Sequence, residues 1–332
     1  MDLRRLLPYS IPVVITMIFI LSGGTNFVWV AMAMIFIISI LRKSIGKFKG
    51  NAIHDEYLYF QYNVAPANLR TISGFFFVAF NLWVLYFLGT HNFQLWQMIL
   101  FIYSCIIINS NFATSLAHEL MHSERKIDRK LCTVILLQNG FFYLQNDHLF
   151  THHRHVATVH DPATAFRGEH IYNYLLRSVT ARFKISFFRN SHYPLNIARR
   201  LIMSNYLKLI ICLSYLIAAW FIGINSFIYL ILNYFFVTII YESITYIQHY
   251  GLTRKVINSF KHENIELQHS WNCFYKTSAY MHYMMPVHSI HHVANDRDWK
   301  DDNYYGNEMP LPFATMMMTA WLPWKWFKLM GK

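Results

Sequence analysis

Long apolar runs separated by short polar connections dominate the pattern of this chain. An apolar run of about 17 to 25 residues can cross the hydrocarbon core of a bilayer as a helix. Six runs approach or reach this length, at 6–21, 27–41, 72–88, 93–117, 206–222 and 227–247. The first two are joined by Ser-Gly-Gly-Thr-Asn, which is typical of a turn. The pattern therefore predicts an all-α integral membrane protein with about six transmembrane helices.

The distribution of basic residues predicts the orientation of these spans. The chain has a formal net charge of +12, yet only 14% of its residues are charged. The connections at 22–26, 89–92 and 223–226 contain no Lys or Arg, whereas basic residues cluster at the other span ends, beginning with Arg4 and Arg5. Since Lys and Arg favour the cytosolic side, both termini are predicted to face the cytosol. The expected location is a bacterial inner membrane.

The same charge suits the anionic lipids of a bilayer surface, and nucleic-acid binding is not expected. No internal repeat or flexible linker divides residues 1–332, so a single membrane-embedded domain is predicted. The four cysteines are scattered without a Cys-x-x-Cys pair, which argues against a disulfide framework and a thiolate metal site.

Histidines supply the candidate chemistry. The chain has 18 of them, and nine fall into compact groups at predicted cytosolic span boundaries: His118 and His122; His148, His152 and His153; His249; and His288, His291 and His292. Residues three or four apart share one face of a helix, so the rings of each group can converge. Imidazole binds iron, zinc, copper and nickel, and one metal rarely needs more than about six ligands. Nine converging histidines therefore predict a site for two metals at the cytosolic face.

The segment His118-Glu119-Leu120-Met121-His122 also matches the H-E-x-x-H pattern of zinc proteases, in which the glutamate is the general base. A one-zinc protease needs about three protein ligands and leaves most of the other histidines unexplained. With two metals, Glu119 is instead expected to orient a ligating ring from outside the ligand set.

Four segments resemble motifs of a known family, the transmembrane alkane 1-monooxygenases, a branch of the membrane fatty-acid desaturase and hydroxylase superfamily. Residues 118–122 resemble the first histidine box of this family, residues 147–153 the second and residues 288–292 the last. Residues 246–252, Tyr-Ile-Gln-His-Tyr-Gly-Leu, resemble its N-Y-x-E-H-Y-G-L segment, and 269–272 read His-Ser-Trp-Asn as in the family. The chain departs from the family at Asp147 and Gln248, where glutamate is usual, and at Val287, where arginine is usual.

The resemblance implies a fold, a cofactor and a reaction. It implies six transmembrane helices, two Fe ions on the nine histidines, and O2 as co-substrate. The implied reaction is hydroxylation of the terminal carbon of an alkane or similar apolar hydrocarbon. Electrons would come from a separate rubredoxin or ferredoxin with its reductase, since the chain has no cysteine-rich iron module and no Gly-rich dinucleotide motif.

Three further interpretations remain open from the sequence. The same metals would serve a desaturase or hydroxylase of fatty acyl lipids, or a xylene-type monooxygenase of methyl-aromatic compounds. A non-enzymatic metal-binding membrane protein is the alternative of a different class. Product analysis and metal content distinguish them.

Two residues join Glu119 as catalytic candidates. Glu242 is an acid inside a predicted span, seven residues before His249 and so nearly on the same helical face. A carboxylate is costly in lipid, which makes Glu242 a candidate for proton delivery or for supporting a ligand. His269 begins the His-Ser-Trp-Asn segment and is the strongest candidate outside the nine histidines.

Overall fold

Helices form nearly all of the regular structure in the computed structural model, which describes residues 3–22, 45–188, 194–258, 261–293 and 306–331. In chain order the helices are α1 (Leu3–Ser22), α2 (Asn51–Tyr62), α3 (Val64–Thr90), α4 (Leu95–Met121), α5 (Lys126–Gln138), α6 (144–155), α7 (Ile171–Phe187), α8 (Leu195–Ile222), α9 (Ile224–His249), α10 (Lys276–Met281), α11 (His288–Val293), α12 (Phe313–Ala320) and α13 (Pro323–Met330). Two pairs of short strands accompany them: β1 (Val256–Asn258) runs antiparallel to β2 (Lys261–His262), and β3 (Trp271–Asn272) runs parallel to β4 (Asn307–Glu308). The predicted all-α class is confirmed.

Five helices of the described residues, α1, α3, α4, α8 and α9, are long and apolar enough to span a membrane. They coincide with five of the six predicted spans, and the remaining prediction, 27–41, lies outside the described residues. The helices extend beyond the apolar runs. For example, α8 begins at Leu195 rather than at 206, because backbone hydrogen bonding continues through polar residues beyond the apolar run.

The outer surface of the spanning helices is apolar. Side chains of α8 such as Leu207, Ile210 and Phe221 are largely exposed. A soluble protein rarely leaves so many large apolar groups in water, whereas a bilayer solvates them. Together with the five spanning helices, this surface marks an integral membrane protein.

Polar side chains bind the spanning helices to one another inside the bundle. The amide of Asn109 on α4 donates towards Asn81 on α3 (2.9 Å) and towards Tyr229 and Asn233 on α9 (2.9 and 3.0 Å). Asn109 opens a π-helical turn, Asn109–Ala113, within α4. Amides buried away from water need such partners, and this network fixes α4 against α3 and α9.

The segments that carry the nine histidines meet at one end of this bundle. α4 and α9 end at or next to His122 and His249, while α6 and α11 are short helices packed between them. α7 packs across α9 and next to the start of α6. The polar end of the bundle is therefore where the candidate site forms.

Candidate metal centre

The first two histidines lie on the last turn of α4. His118 and His122 are four residues apart, and their ring centroids are 5.5 Å apart. Glu119 Oε1 lies 3.0 Å from His118 Nδ1, and Gln61 Nε2 donates to the other carboxylate oxygen. The carboxylate of Glu119 therefore contacts Nδ1 of His118 and leaves Nε2 facing the site. A carboxylate outside the ligand set commonly orients a ligating histidine ring in this way.

The second group depends on a π-helical turn, His148–His152, in the middle of α6. A π-turn pairs residues five apart, and the backbone N–H of His153 donates to the carbonyl of His148. As a result the Nε2 atoms of His148 and His153 lie 2.9 Å apart. Nδ1 of His152 lies 2.9 Å from Asp161 Oδ2, so this ring is also oriented by a buried carboxylate.

The last histidines come from the end of α9 and from α11. Nε2 of His288 lies 3.0 Å from Nε2 of His249 and 2.9 Å from Nε2 of His292. Nε2 of His291 lies 3.1 Å from Nε2 of His153. The rings of His288 and His292, four residues apart on α11, therefore point to one place, and the ring of His291 points to a neighbouring one.

Eight of the nine predicted histidines form two groups of four, and within each group the ligand nitrogens lie within 4.8 Å of one another. One group is His118, His122, His148 and His291, and the other is His152, His249, His288 and His292. His153 lies between the groups, with its ring centroid 4.8 Å from that of His122 and 4.7 Å from that of His292. The nine histidines thus converge, and their role as ligands stays a prediction.

The chemistry of these nitrogens fits metal ions. Burial, with neighbouring imidazoles adding to it, lowers the pKa of six of the rings well below the usual histidine value, so that they are neutral and can ligate: His122, His148, His153, His288, His291 and His292. The buried Nε2 of His118 has no hydrogen-bond partner among the described residues. Converging neutral imidazole nitrogens cannot all be satisfied by hydrogen bonds to each other, whereas a cation in each group satisfies them.

A cavity of about 10 Å³, room for about one water molecule, lies against this cluster. Four histidines from both groups line it, together with Tyr241, Thr245 and Gln248 of α9, Met285 and Arg182. The residues from α9 precede His249, which places this cavity on the bundle side of the histidines.

Glu242 is fully buried on α9, where three side chains from α7 surround it. The hydroxyls of Ser178 and Tyr174 donate to its Oε2 at 2.7 and 3.3 Å, and Arg182 Nε lies 2.8 Å from its Oε1. Arg182 also donates to Asp147, the residue before His148. Residues 174, 178 and 182 are spaced by four, so one face of α7 provides all three contacts.

His269 lies next to the cluster but its ring points elsewhere. Its Nδ1 accepts from the backbone N–H of Glu266 (2.9 Å), and its Nε2 lies 3.1 Å from Glu263 Oε1. Its backbone lies close to the ring of His249, whose Nδ1 has no hydrogen-bond partner among the described residues. Both ring nitrogens of His269 are therefore engaged within the turn that precedes β3.

Comparison with known proteins identifies the family. A sequence model of the fatty acid desaturase family matches residues 94–301, which include all nine histidines. This protein belongs to the fatty acid desaturase family.

Within this family, the chain is similar to several enzymes named for hydrocarbon oxidation. It is 26% identical to an alkane 1-monooxygenase of Acinetobacter baylyi over 306 residues, 89% of this chain and 74% of that protein. It is 26% identical to alkane 1-monooxygenase 2 of Alcanivorax borkumensis over 319 residues, 93% of this chain and 84% of that protein. It is 25% identical to the hydroxylase component of a xylene/toluene monooxygenase of Pseudomonas putida over 225 residues, 65% of this chain and 58% of that protein.

Gln248 and Asp147, where the chain departs from the alkane 1-monooxygenase motifs, both have defined contacts in the structure. Gln248 is buried, lines the small cavity and donates to the carbonyl of Met285 at 3.2 Å. Asp147 is buried beside Arg182. An uncharged amide at 248 therefore leaves Asp147 and Glu242 as the carboxylates paired with Arg182.

Arg182 is the residue that sequence reasoning missed. It lies in a segment without a motif, and its side chain is as buried as that of His118. One signal was present in the sequence: a carboxylate inside a span, Glu242, requires a buried cationic or hydrogen-bonding partner. The sequence could not say which of the basic residues supplies it.

Proposed function

We propose that this protein is a membrane non-haem di-iron monooxygenase that hydroxylates the terminal carbon of an alkane or similar aliphatic hydrocarbon. The observation that carries the proposal is the pair of four-histidine groups, with His153 between them, at the end of a helical bundle with an apolar outer surface. The similarity to alkane 1-monooxygenases over about nine tenths of the chain supports the choice of reaction.

An aliphatic C–H bond offers no acidic proton or polar handle, so side chains alone cannot activate it. Two iron ions bound by the histidines would supply the oxidant from dioxygen. The overall reaction consumes one hydrocarbon, one O2, two electrons and two protons, and it yields one alcohol and one water. The chain's own residues orient the ligands: Glu119 holds the ring of His118, and Asp161 holds that of His152.

Glu242 and Arg182 are proposed to hold α9 and α6, which carry ligands of both groups, in a fixed position relative to each other. Arg182 links α9, which ends at His249, to Asp147, which precedes His148. Glu242 accepts from the hydroxyl of Ser178, and its proposed role is to support the ligands or to take part in proton delivery. His269 is proposed to support the segment beside His249, since its backbone lies close to that ring and its own ring is held by Glu263 and Glu266.

The electrons are proposed to come from a separate rubredoxin or ferredoxin with its reductase. The site and both termini are proposed to face the cytosol of a bacterial cell, where such carriers are present. The net charge of +12 would attract an acidic carrier to this basic face. An apolar substrate would reach the site from the bilayer.

A second candidate reaction is hydroxylation of a methyl-aromatic compound. The similarity to the xylene/toluene monooxygenase component favours it over unrelated reactions. Fatty acyl lipids are the third substrate class, in keeping with the family. A zinc protease is disfavoured by the geometry, because Glu119 faces Nδ1 of His118 and is not directed at the converging nitrogens.

The test combines metal analysis with product analysis on the full chain in detergent. Iron content is measured per chain, and turnover of a medium-chain alkane, a xylene and an acyl lipid is measured with a surrogate rubredoxin and reductase. About two irons per chain and a primary alcohol from the alkane support the proposal. One zinc without an oxygen-dependent product would refute it, and two irons without any product would indicate a non-enzymatic metal-binding protein.

A further inference from the structure

The small cavity on the bundle side of the histidines lies against both ligand groups. His118 and His148 of one group and His152 and His288 of the other line it. Its volume of about 10 Å³ has room for one water molecule. A buried water needs about two to four polar partners, so the polar side chains of the lining decide whether one is held there.

One face of α9 supplies polar side chains to this cavity. Tyr241, Thr245 and Gln248 line it at a spacing of four and three residues, which places them on one side of the helix. All three are at most 5% exposed, and α9 is one of the spanning helices. A polar group inside a span is costly unless it has a hydrogen-bond partner. The partners of these three side chains therefore show what the cavity can hold.

Gln248 presents an acceptor to the cavity. Its amide nitrogen Nε2 donates to the carbonyl of Met285 at 3.2 Å. Because a carbonyl oxygen can only accept, this contact fixes the orientation of the amide and leaves Oε1 at its other end. Oε1 makes no hydrogen bond to a described residue, so a donor from a cavity occupant would satisfy it.

Tyr241 presents a hydroxyl to the cavity. Its ring packs edge-on against the fully buried ring of Phe141, with 5.1 Å between the centroids. Its hydroxyl makes no hydrogen bond within the described ranges. Thr245, the other hydroxyl residue of the lining, donates to the backbone carbonyl of Tyr241 at 3.1 Å, so its proton is already engaged. Tyr241 therefore has the one hydroxyl of this lining that can donate to an occupant.

The buried carboxylates near the site are engaged elsewhere. Glu119 and Asp161 each contact Nδ1 of a histidine, and Asp147 and Glu242 pair with Arg182. None of these four carboxylates lines the cavity. The reaction proposed above consumes two protons per turnover, and tyrosine is among the side chains that act as general acids. The tyrosine hydroxyl of the cavity is therefore the available proton donor.

We propose that the cavity holds one water molecule between Tyr241 and Gln248, and that Tyr241 is the general acid of the proposed reaction. At each step the O–H bond of Tyr241 breaks, and its proton forms an O–H bond on the oxygen atom of dioxygen that leaves as water. The electron pair of the broken bond stays on the phenolate, which regains a proton from solvent through the cavity water. Two such steps supply both protons, and Tyr241 is neither oxidised nor reduced. This role of Tyr241 rests on the proposed function, whereas its position as a hydrogen-bond donor in the cavity does not.

The test compares Tyr241→Phe with the unmodified full chain, both loaded with iron in detergent. Alcohol formation from a medium-chain alkane is measured with a surrogate rubredoxin and reductase, and fluoride binding to the ferric protein is measured by absorption spectroscopy. Fluoride is an anion close to water in size, and it accepts a hydrogen bond from a donor in the cavity. We expect turnover to fall about 100-fold and the affinity for fluoride to fall at least about tenfold. Iron content should not change, because the hydroxyl has no partner among the described residues.

Tyr234→Phe is the matched control. Tyr234 lies on the same helix, its hydroxyl donates to the carbonyl of Leu137 at 3.3 Å, and it does not line the cavity. Both readouts should stay unchanged in this variant. Gln248→Glu adds a negative charge to the cavity and should also weaken fluoride binding at least about tenfold, which decides the matter if Tyr241→Phe loses iron. Unchanged fluoride affinity in Gln248→Glu would mean that the cavity takes no ligand, which overturns the proposal.

The two readouts separate this role from the proposed function. If Tyr241→Phe keeps its turnover, its fluoride affinity or both, Tyr241 is not the general acid. Iron without alcohol in the unmodified protein would refute the proposed reaction, and the fluoride titration alone would then decide whether Tyr241 is a donor in the cavity. The absence of iron from the unmodified protein would overturn both.

Discussion

Arg182 is a buried positive charge between two buried carboxylates, those of Asp147 and Glu242. Replacement of Arg182 by methionine leaves both carboxylates without this counter-ion. Arg182 is 1% exposed, and it contacts Asp147 and Glu242, which are equally buried. Removal of one partner from a buried ion pair costs about 3 to 5 kcal/mol, because the remaining charge has no counter-ion. We therefore expect Arg182→Met to lower the free energy of unfolding by about 3 to 5 kcal/mol. At about 2 °C per kcal/mol, the midpoint of thermal unfolding should fall by about 6 to 10 °C.

The assay is thermal unfolding of the detergent-solubilised protein, followed by circular dichroism, with iron content measured in parallel. Lys47→Met is the control, since Lys47 pairs with Glu308 at 2.6 Å and both side chains are at least a third exposed. Exposed pairs contribute about 0 to 1 kcal/mol, so the control should lose about 2 °C or less.

A triple variant tests the reasoning about charge. If Asp147→Asn and Glu242→Gln are added to Arg182→Met, no buried charge remains unpaired, and at least half of the lost stability should return. Iron content should follow the same order, because Asp147 precedes His148 in the chain. The reasoning is refuted if Arg182→Met is no less stable than Lys47→Met, or if the triple variant is less stable than Arg182→Met.

Three further predictions concern the site and its frame. Asp161→Asn removes the carboxylate that orients His152 and should weaken metal binding about 10- to 100-fold, measured by competition with a chelator; unchanged affinity would exclude an orienting role. Gly140→Ala should destabilise the protein by more than about 3 kcal/mol, because at a φ of +70° the new Cβ would lie 2.2 Å from the ring of Tyr234. Gly168→Ala is the control, since Gly168 has a φ of +81° but open space around it, and it should cost about 1 to 3 kcal/mol from backbone strain alone. The pKa of six site histidines is lower in the folded protein than in the unfolded chain, so below about pH 6.5 the unfolded chain binds more protons. The free energy of unfolding should therefore fall by up to about 1.4 kcal/mol per pH unit per histidine as the pH decreases further. A flat stability profile between pH 7 and pH 5 in chelator-treated protein would contradict this last prediction.

The membrane class and the shared helical face within each histidine group follow from local rules. Apolar runs specify spanning helices because a bilayer solvates only apolar side chains and requires internally paired backbone groups. A spacing of three or four residues places His118 with His122, and His288 with His291 and His292, on one face each. These features need no knowledge of distant contacts, which is why five predicted spans agree with the structure.

Other features depend on contacts between segments far apart in the chain. The division of the histidines into two groups, with His291 in one and His292 in the other, follows from the way α11 packs between α4, α6 and α9. The π-turn that brings His153 to His148 is not encoded in a spacing rule for α-helices. His269 was expected near the metals from its motif, but local hydrogen bonds turn its ring to Glu263 and Glu266.

Hydrophobicity and helical periodicity act over a few neighbouring residues, and they are sufficient to specify an all-helical membrane protein with histidine groups near the ends of its spans. The pairing of the buried charges depends instead on packing, since Arg182 meets Glu242 and Asp147 from 60 and 35 residues away. A cavity of about 510 Å³ beside His122 and His153 likewise forms where α2, α3, α11 and the ends of α4 and α6 come together. Burial and pairing of charge are properties of the packed molecule, and they are what set the chemistry of this site.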